Sequence, residues 1–210
     1  GNGTVYFDNW YFYTSEDTSP PAFPDYSLIG ENNVVVEWVA PAPIVDGWLF
    51  NHDGTIEAGL ASTNGGAGLA EMLQPAAYPC TIEQIQYFIT NLGTGLDMEV
   101  WIIDDDGETP LGGPYTPTAD TLWNVIDIDD IVINDGGFMI STYNVNPDGP
   151  WVGRDNDTYN GTCYFGSHTG GFTELSVYGF YVTGSHEAYV TYGDGFRATD
   201  SVVLKPVGSD

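Results

Sequence analysis

The stretch Gln84-Ile85-Gln86-Tyr87-Phe88-Ile89, followed by Asn91-Leu92-Gly93-Thr94-Gly95 and then Asp97-Met98-Glu99-Val100-Trp101-Ile102-Ile103, decides the fold class. Ile85, Tyr87 and Ile89 recur at every second position, the period at which a strand sends side chains to one face. The Gly-containing segment between the two runs has the chemistry of a turn. The passage therefore reads as two strands that each bury one face, and not as a helix.

The same pattern extends along the chain. Trp123 to Ile128, Ile131 to Ile133, Phe138 to Tyr143, Tyr178 to Val182 and Ala188 to Tyr192 are further strand candidates. Turn signals separate them: Asp106-Gly107, Gly112-Gly113-Pro114, Asp135-Gly136-Gly137, Asp148-Gly149-Pro150 and Gly170-Gly171. Only Ala67 to Leu73 has room for a turn or two of helix, and the surrounding glycines argue against more. Many short strands without strand–helix alternation predict an all-β chain, an antiparallel β-sandwich of jelly-roll type.

Residues 1–44 read as an extension of that sandwich. An aromatic strand at residues 4–13 is followed by the Pro-rich Ser19-Pro20-Pro21-Ala22-Phe23-Pro24, a second strand at residues 33–39 and the linker-like Ala40-Pro41-Ala42-Pro43. The two strands either complete the sandwich or pair with another molecule. In the second case Val5, Phe7, Trp10, Phe12, Val34, Val36 and Trp38 are the positions of the assembly strand. Residues 45–193 are the sandwich domain, and residues 194–210 a tail whose Ser201-Val202-Val203-Leu204-Lys205-Pro206-Val207 is an edge-strand candidate.

Thirty Asp and Glu face three basic residues, Arg154, Arg197 and Lys205, for a formal net charge of −27. Three scattered cations cannot release counterions from a nucleic acid, and an anionic membrane surface is disfavoured for the same reason. Fourteen Tyr, ten Phe and six Trp supply a core that a disordered acidic chain lacks. Such self-repulsion implies a salty medium, bound divalent cations, or both. There is no apolar run long enough for membrane insertion, and a start at Gly1 without Met suggests a processed, exported form. In an exported protein the two cysteines, Cys80 and Cys163, are expected to form a disulfide.

From Trp48 the sequence runs Trp48-Leu49-Phe50-Asn51-His52-Asp53-Gly54-Thr55-Ile56-Glu57, then Asn64-Gly65-Gly66-Ala67-Gly68-Leu69-Ala70-Glu71-Met72, then Tyr78-Pro79-Cys80-Thr81-Ile82. Val100-Trp101-Ile102-Ile103-Asp104-Asp105-Asp106-Gly107 and Gly136-Gly137-Phe138 follow. Over residues 45–193 this succession resembles the β-sandwich accessory domains of large secreted bacterial proteins, the kind exported with a C-terminal sorting domain. The resemblance implies an extracellular or cell-surface location and an accessory, adhesive or structural role. The aromatic N-terminal extension, and the lack of a sorting or catalytic domain in this sequence, depart from that setting. They place the expected function in the domain's own surface.

The candidate chemistry is sparse. Asp104, Asp105, Asp106 and Glu108 put four carboxylates on one turn, and hard oxygens suit calcium. The EF-hand spacing fails, because aligning Gly107 with the loop glycine puts Ile102 and Gly113 at ligand positions. Asp127, Asp129 and Asp130 form a second acidic group. There is no zinc-hydrolase, nucleophile-elbow or phosphate-loop motif, and His52, His168 and His186 are isolated, so no enzyme and no required cofactor are expected. Trp151, beside Pro150, is the aromatic best placed to stack on a sugar ring. Asn2, Asn156 and Asn160 open glycosylation sequons. The leading expectation is a subunit of a surface filament or matrix that joins other copies of itself by strand addition. The rival is a polysaccharide-binding, calcium-assisted module.

Overall fold

A computed structural model describes residues 25–29, 33–37 and 44–193. Strands β1 (Asp25–Ile29) and β2 (Asn33–Glu37) form an antiparallel sheet of two, with Leu28 opposite Val34 and Tyr26 opposite Val36. The other assembly-strand candidates, Val5, Phe7, Trp10, Phe12 and Trp38, lie outside the described residues, as do Asn2 and the strand candidate at 201–207.

Residues 44–193 form a β-sandwich of two antiparallel sheets. Its strands are β3 (Gly47–Leu49), β4 (Ala58–Leu60), β5 (Ala67–Leu73), β6 (Cys80–Asn91), β7 (Met98–Asp104), β8 (Pro110–Tyr115), β9 (Leu122–Ile133), β10 (Phe138–Asn144), β11 (Trp151–Asp155), β12 (Cys163–Ser167), β13 (Gly171–Glu174), β14 (Thr183–Gly184) and β15 (His186–Tyr192). The six-stranded sheet runs β13-β12-β5-β10-β7-β8. The seven-stranded sheet runs β14-β11-β6-β15-β3, with β4 paired to β11 and β9 to β6.

The core is the set that period two selects. Ile82, Ile85, Tyr87 and Ile89 of β6 face Leu69, Leu73, Val100, Ile102, Phe138 and Ile140 of the other sheet, all buried. Each such side chain contributes about 1.5–3 kcal/mol by leaving water. On the far side of β6, Gln84, Gln86 and Phe88 point outward and are only partly buried.

Three expectations are corrected. Residues 67–73 are not helical but form β5, a strand buried on both faces between β10 and β12. With both faces covered the polar alternation vanishes, and the glycine that argued against structure is required: a Cβ on Gly68 would stand 1.6 Å from the Thr142 carbonyl oxygen. Residues 178–182 are not a strand. Leu175–Tyr178 is a 3-10 turn ended by Gly179 at φ 84°, a left-handed conformation that breaks extension, and pairing resumes only at Thr183. The pair expected as a disulfide is two buried free thiols, Cys80 and Cys163. β6 carries Cys80 between β9 and β15, β12 carries Cys163 between β5 and β13, and no register places one beside the other. The two candidates at 123–128 and 131–133 join into the single strand β9, with a register irregularity opposite Ile82–Gln84.

Burial pushes the Cys80 thiol up to about 11 and Cys163 well above its ordinary value. Thiol titration of the native protein should therefore report essentially no reaction, and two equivalents after denaturation without reductant; one disulfide would give none. Gly68→Ala should lose more than about 2 kcal/mol in denaturant melts, because β10 cannot move without disrupting the core.

Candidate functional site

One carboxylate points into the space between the sheets. Glu71 of β5 is fully buried, opposite Cys163 in the register of β12. Its Oε1 accepts hydrogen bonds from Asn51 Nδ2 at 2.7 Å and Thr162 Oγ1 at 2.5 Å, and its Oε2 accepts from the Gly184 backbone N–H at 2.8 Å. Those donors belong to three separate stretches of chain, so one side chain ties together the loop after β3, the loop before β12, and β14. Burial raises the Glu71 pKa to about 7, and the hydrogen bonds from Thr162, Asn51 and Gly184 only partly offset it.

Gly184 leaves room for this arrangement. A Cβ there would lie 3.0 Å from Glu71 Oε2, 3.0 Å from His186 Nδ1 and 3.4 Å from Cys163 Sγ. His186 is fully buried, with Nε2 3.1 Å from the Thr142 hydroxyl. That hydroxyl donates to the Leu69 carbonyl at 3.0 Å, so the ring donates at Nε2 and leaves Nδ1 as an acceptor without a partner. Burial, with His52 nearby, holds the His186 pKa down to about 3 and the ring neutral.

Above this interior the loops carry a second acidic group. Buried Asp155 accepts the backbone N–H groups of Asp53 at 3.0 Å, Asp157 at 3.0 Å and Thr158 at 2.9 Å. Burial pushes its carboxyl up, but the N–H groups of Asp53 and Thr158 more than offset this and hold it below the ordinary carboxylate range. The pKa of Asp157 is raised, chiefly by its hydrogen bond to Asp155. Oxygens of Asp53, Asp155 and Asp157 lie within 4.8 Å of one another. They could hold a hard cation such as calcium, supplying three of the six to eight oxygens it takes. Tyr159 meets Tyr181 edge-on at 5.3 Å, and the Arg154 guanidinium lies 5.1 Å from the centre of the Phe180 ring.

Of the residues singled out from sequence, Asn156 and Asn160 lie on this loop and the others elsewhere. Asp104, Asp105, Asp106 and Glu108 sit at the β7–β8 turn. There Asp106 accepts the N–H groups of Glu108 and Thr109 at 2.7 and 2.8 Å, Asp104 accepts that of Asp105, and Asp105 accepts that of Gly137. Trp151 opens β11, partly exposed, its carbonyl accepting the Thr90 hydroxyl. Asn156 and Asn160 are exposed on the acidic loop, and the Asn160 amide donates to the Asn51 carbonyl.

No family model, curated protein or solved structure matches this chain. Among the described residues no helix is long and apolar enough to cross a membrane.

The outer face of the seven-stranded sheet is the other notable surface. The order β3-β15-β6-β9 aligns Trp48, Tyr189, Gln84 and Asp127 in one cross-strand row, and Glu187, Gln86 and Val125 in the next. Phe88 and Trp123 form a third row, over which Phe50 and His52 lie. The sheet ends at β9, which pairs with β6 and with no other described strand.

Glu71 has a folded pKa above its unfolded one, so the folded protein holds its proton more tightly. This contribution to stability is full below about pH 4.5 and lost as pH rises to about 7. Glu71→Gln should flatten the fall in chemically measured stability across that window by on the order of 3 kcal/mol. Asp155 has the opposite sign, its contribution being present above the ordinary carboxylate pKa and lost only in strong acid. Asp155→Ala should cost about 1–3 kcal/mol at neutral pH, read from thermal or urea melts, because it leaves three backbone donors without an acceptor.

Proposed function

We propose that this chain is a non-enzymatic structural module of a bacterial cell exterior, which joins a neighbouring copy by strand addition along β9. The observation that supports the reading is the open side of that strand. β9 is twelve residues long, and among the described residues its backbone is paired on one side only. An unpaired row of N–H and C=O groups is a template for another strand. Folded proteins usually blunt such edges with Pro, Lys or short length, and β9 has neither Pro nor Lys. Asp127, Asp129 and Asp130 guard its second half by charge, whereas Leu122-Trp123-Asn124-Val125-Ile126 carries no charge and exposes Leu122 and Val125.

The partner is another copy of the same chain. In sequence, residues 4–13 are β-prone and aromatic with one carboxylate, Asp8, in a molecule that has thirty Asp and Glu. Such a segment meets the uncharged half of β9 with little like-charge repulsion. A head-to-tail contact that does not close builds a filament or matrix. The acidic composition and the resemblance over residues 45–193 favour the cell exterior, where salt and divalent cations screen the −27 charge.

Light scattering combined with hydrogen exchange, at high salt with calcium, tests the reading. Mass should rise with concentration, amides of residues 122–126 should gain protection in step with it, and a variant lacking residues 1–40 should stay monomeric. A full chain that remains monomeric, or one that assembles without protecting those amides, would refute it.

A further inference from the structure

We infer that the outer face of the seven-stranded sheet is a binding platform for a neutral polysaccharide. Two aromatic groups bracket it. Trp48 and Tyr189 meet edge-on at 5.6 Å on one side. On the other, Trp123 lies 5.4 Å from Phe88 and 5.8 Å from His52, which stacks on Phe50 at 5.1 Å. Trp48 is 36% exposed, Trp123 38% and Phe50 47%, enough to present ring surface to a ligand. The groups are two rows apart, about 14 Å along the strands, a span suited to several linked sugar rings.

Two fixed amide–carboxylate pairs accompany them, one in the Trp48 row and one in the row between the two groups. Gln84 Nε2 donates to Asp127 Oδ1 at 2.6 Å, and Gln86 Nε2 donates to Glu187 Oε2 at 2.5 Å. Glu187 is buried, its Oε1 3.0 Å from His52 Nε2. The carbonyl oxygens of both Gln side chains and the second oxygen of Asp127 remain as acceptors at known positions. None of the three rows carries Lys or Arg.

That chemistry selects the ligand class. An acceptor surface without cations, on a chain of net charge −27, repels phosphate, sulfate and uronate polymers. Sugar hydroxyls donate to such acceptors, and the apolar face of a pyranose covers an aromatic ring. A basic peptide is disfavoured because these three rows are poor in charge for this molecule: Asp127 is their one exposed carboxylate, already held by an amide. The inference does not rest on strand addition, since the one ring of β9, Trp123, packs over Phe88 of β6 and away from the open edge.

Affinity electrophoresis of the full chain under dispersing, low-salt conditions tests it, in gels containing barley β-glucan, galactomannan or dextran. Dextran sulfate and a polylysine peptide serve as controls. At least one neutral polymer should retard the protein, dextran sulfate and polylysine should not, and Trp48→Ala should weaken the retardation at least tenfold. Because Trp123 packs on His52 and Phe88, Trp123→Ala is paired with Asp127→Ala, and thermal melts confirm that each variant is folded. No retardation by any neutral polymer would overturn the inference. So would equal retardation of wild type, Trp48→Ala and Asp127→Ala, or binding to polylysine alone.

Discussion

A carboxylate in a protein interior must be given partners or a proton, and Glu71 is given three partners while burial raises its pKa to about 7. Its oxygens collect hydrogen bonds from Asn51, Thr162 and Gly184, three positions that nothing in local structure brings together. Leaving any of these donors without an acceptor in the interior would cost as much as a core side chain contributes. The loop geometry at this end of the sandwich therefore depends on one side chain of β5. The Thr142–His186 contact adds a polar tie from sheet to sheet beside it. Asp155 repeats the device one layer out, holding the N–H groups of Asp53, Asp157 and Thr158 in place by charge.

The two sheets do different work because their outer faces differ. β5 and β10 are covered almost completely on both faces, and their side chains serve packing and the buried polar ties. The seven-stranded sheet buries one face and leaves the other half open, so aromatic rings and amide–carboxylate pairs stand where water or a ligand can reach them. An open edge and an open face meet at β9.

How much of this was legible in the sequence depended on how each residue was buried. Ile85, Tyr87 and Ile89 could be read because their neighbours Gln84, Gln86 and Phe88 point to a half-open face, which keeps the two-residue period visible. β5 could not, since Gly68-Leu69-Ala70-Glu71-Met72-Leu73 is buried on both sides and shows no period. The same run did contain a signal: a single Glu in an apolar stretch marks a buried carboxylate. What no local pattern could show is the Asp53 N–H meeting Asp155, 102 residues away, or Gly184 meeting Glu71, 113 residues away. Such pairs follow from sheet order, which the sequence does not spell out. Tyr178, Phe180 and Val182 misled because alternation alone ignores Gly179, whose left-handed backbone ends the extension.

The long pairing of β9 on β6 bears on mechanics. The strands run antiparallel with partners from Ile89–Leu122 to Cys80–Ile133. A pull directed along β9 is a shear that loads the whole ladder at once, so the bonds must fail together. A pull across the strands would open them one after another, like a zipper. A domain joined to its surroundings through the length of this strand is thus built to bear tension along one axis and to yield along the other.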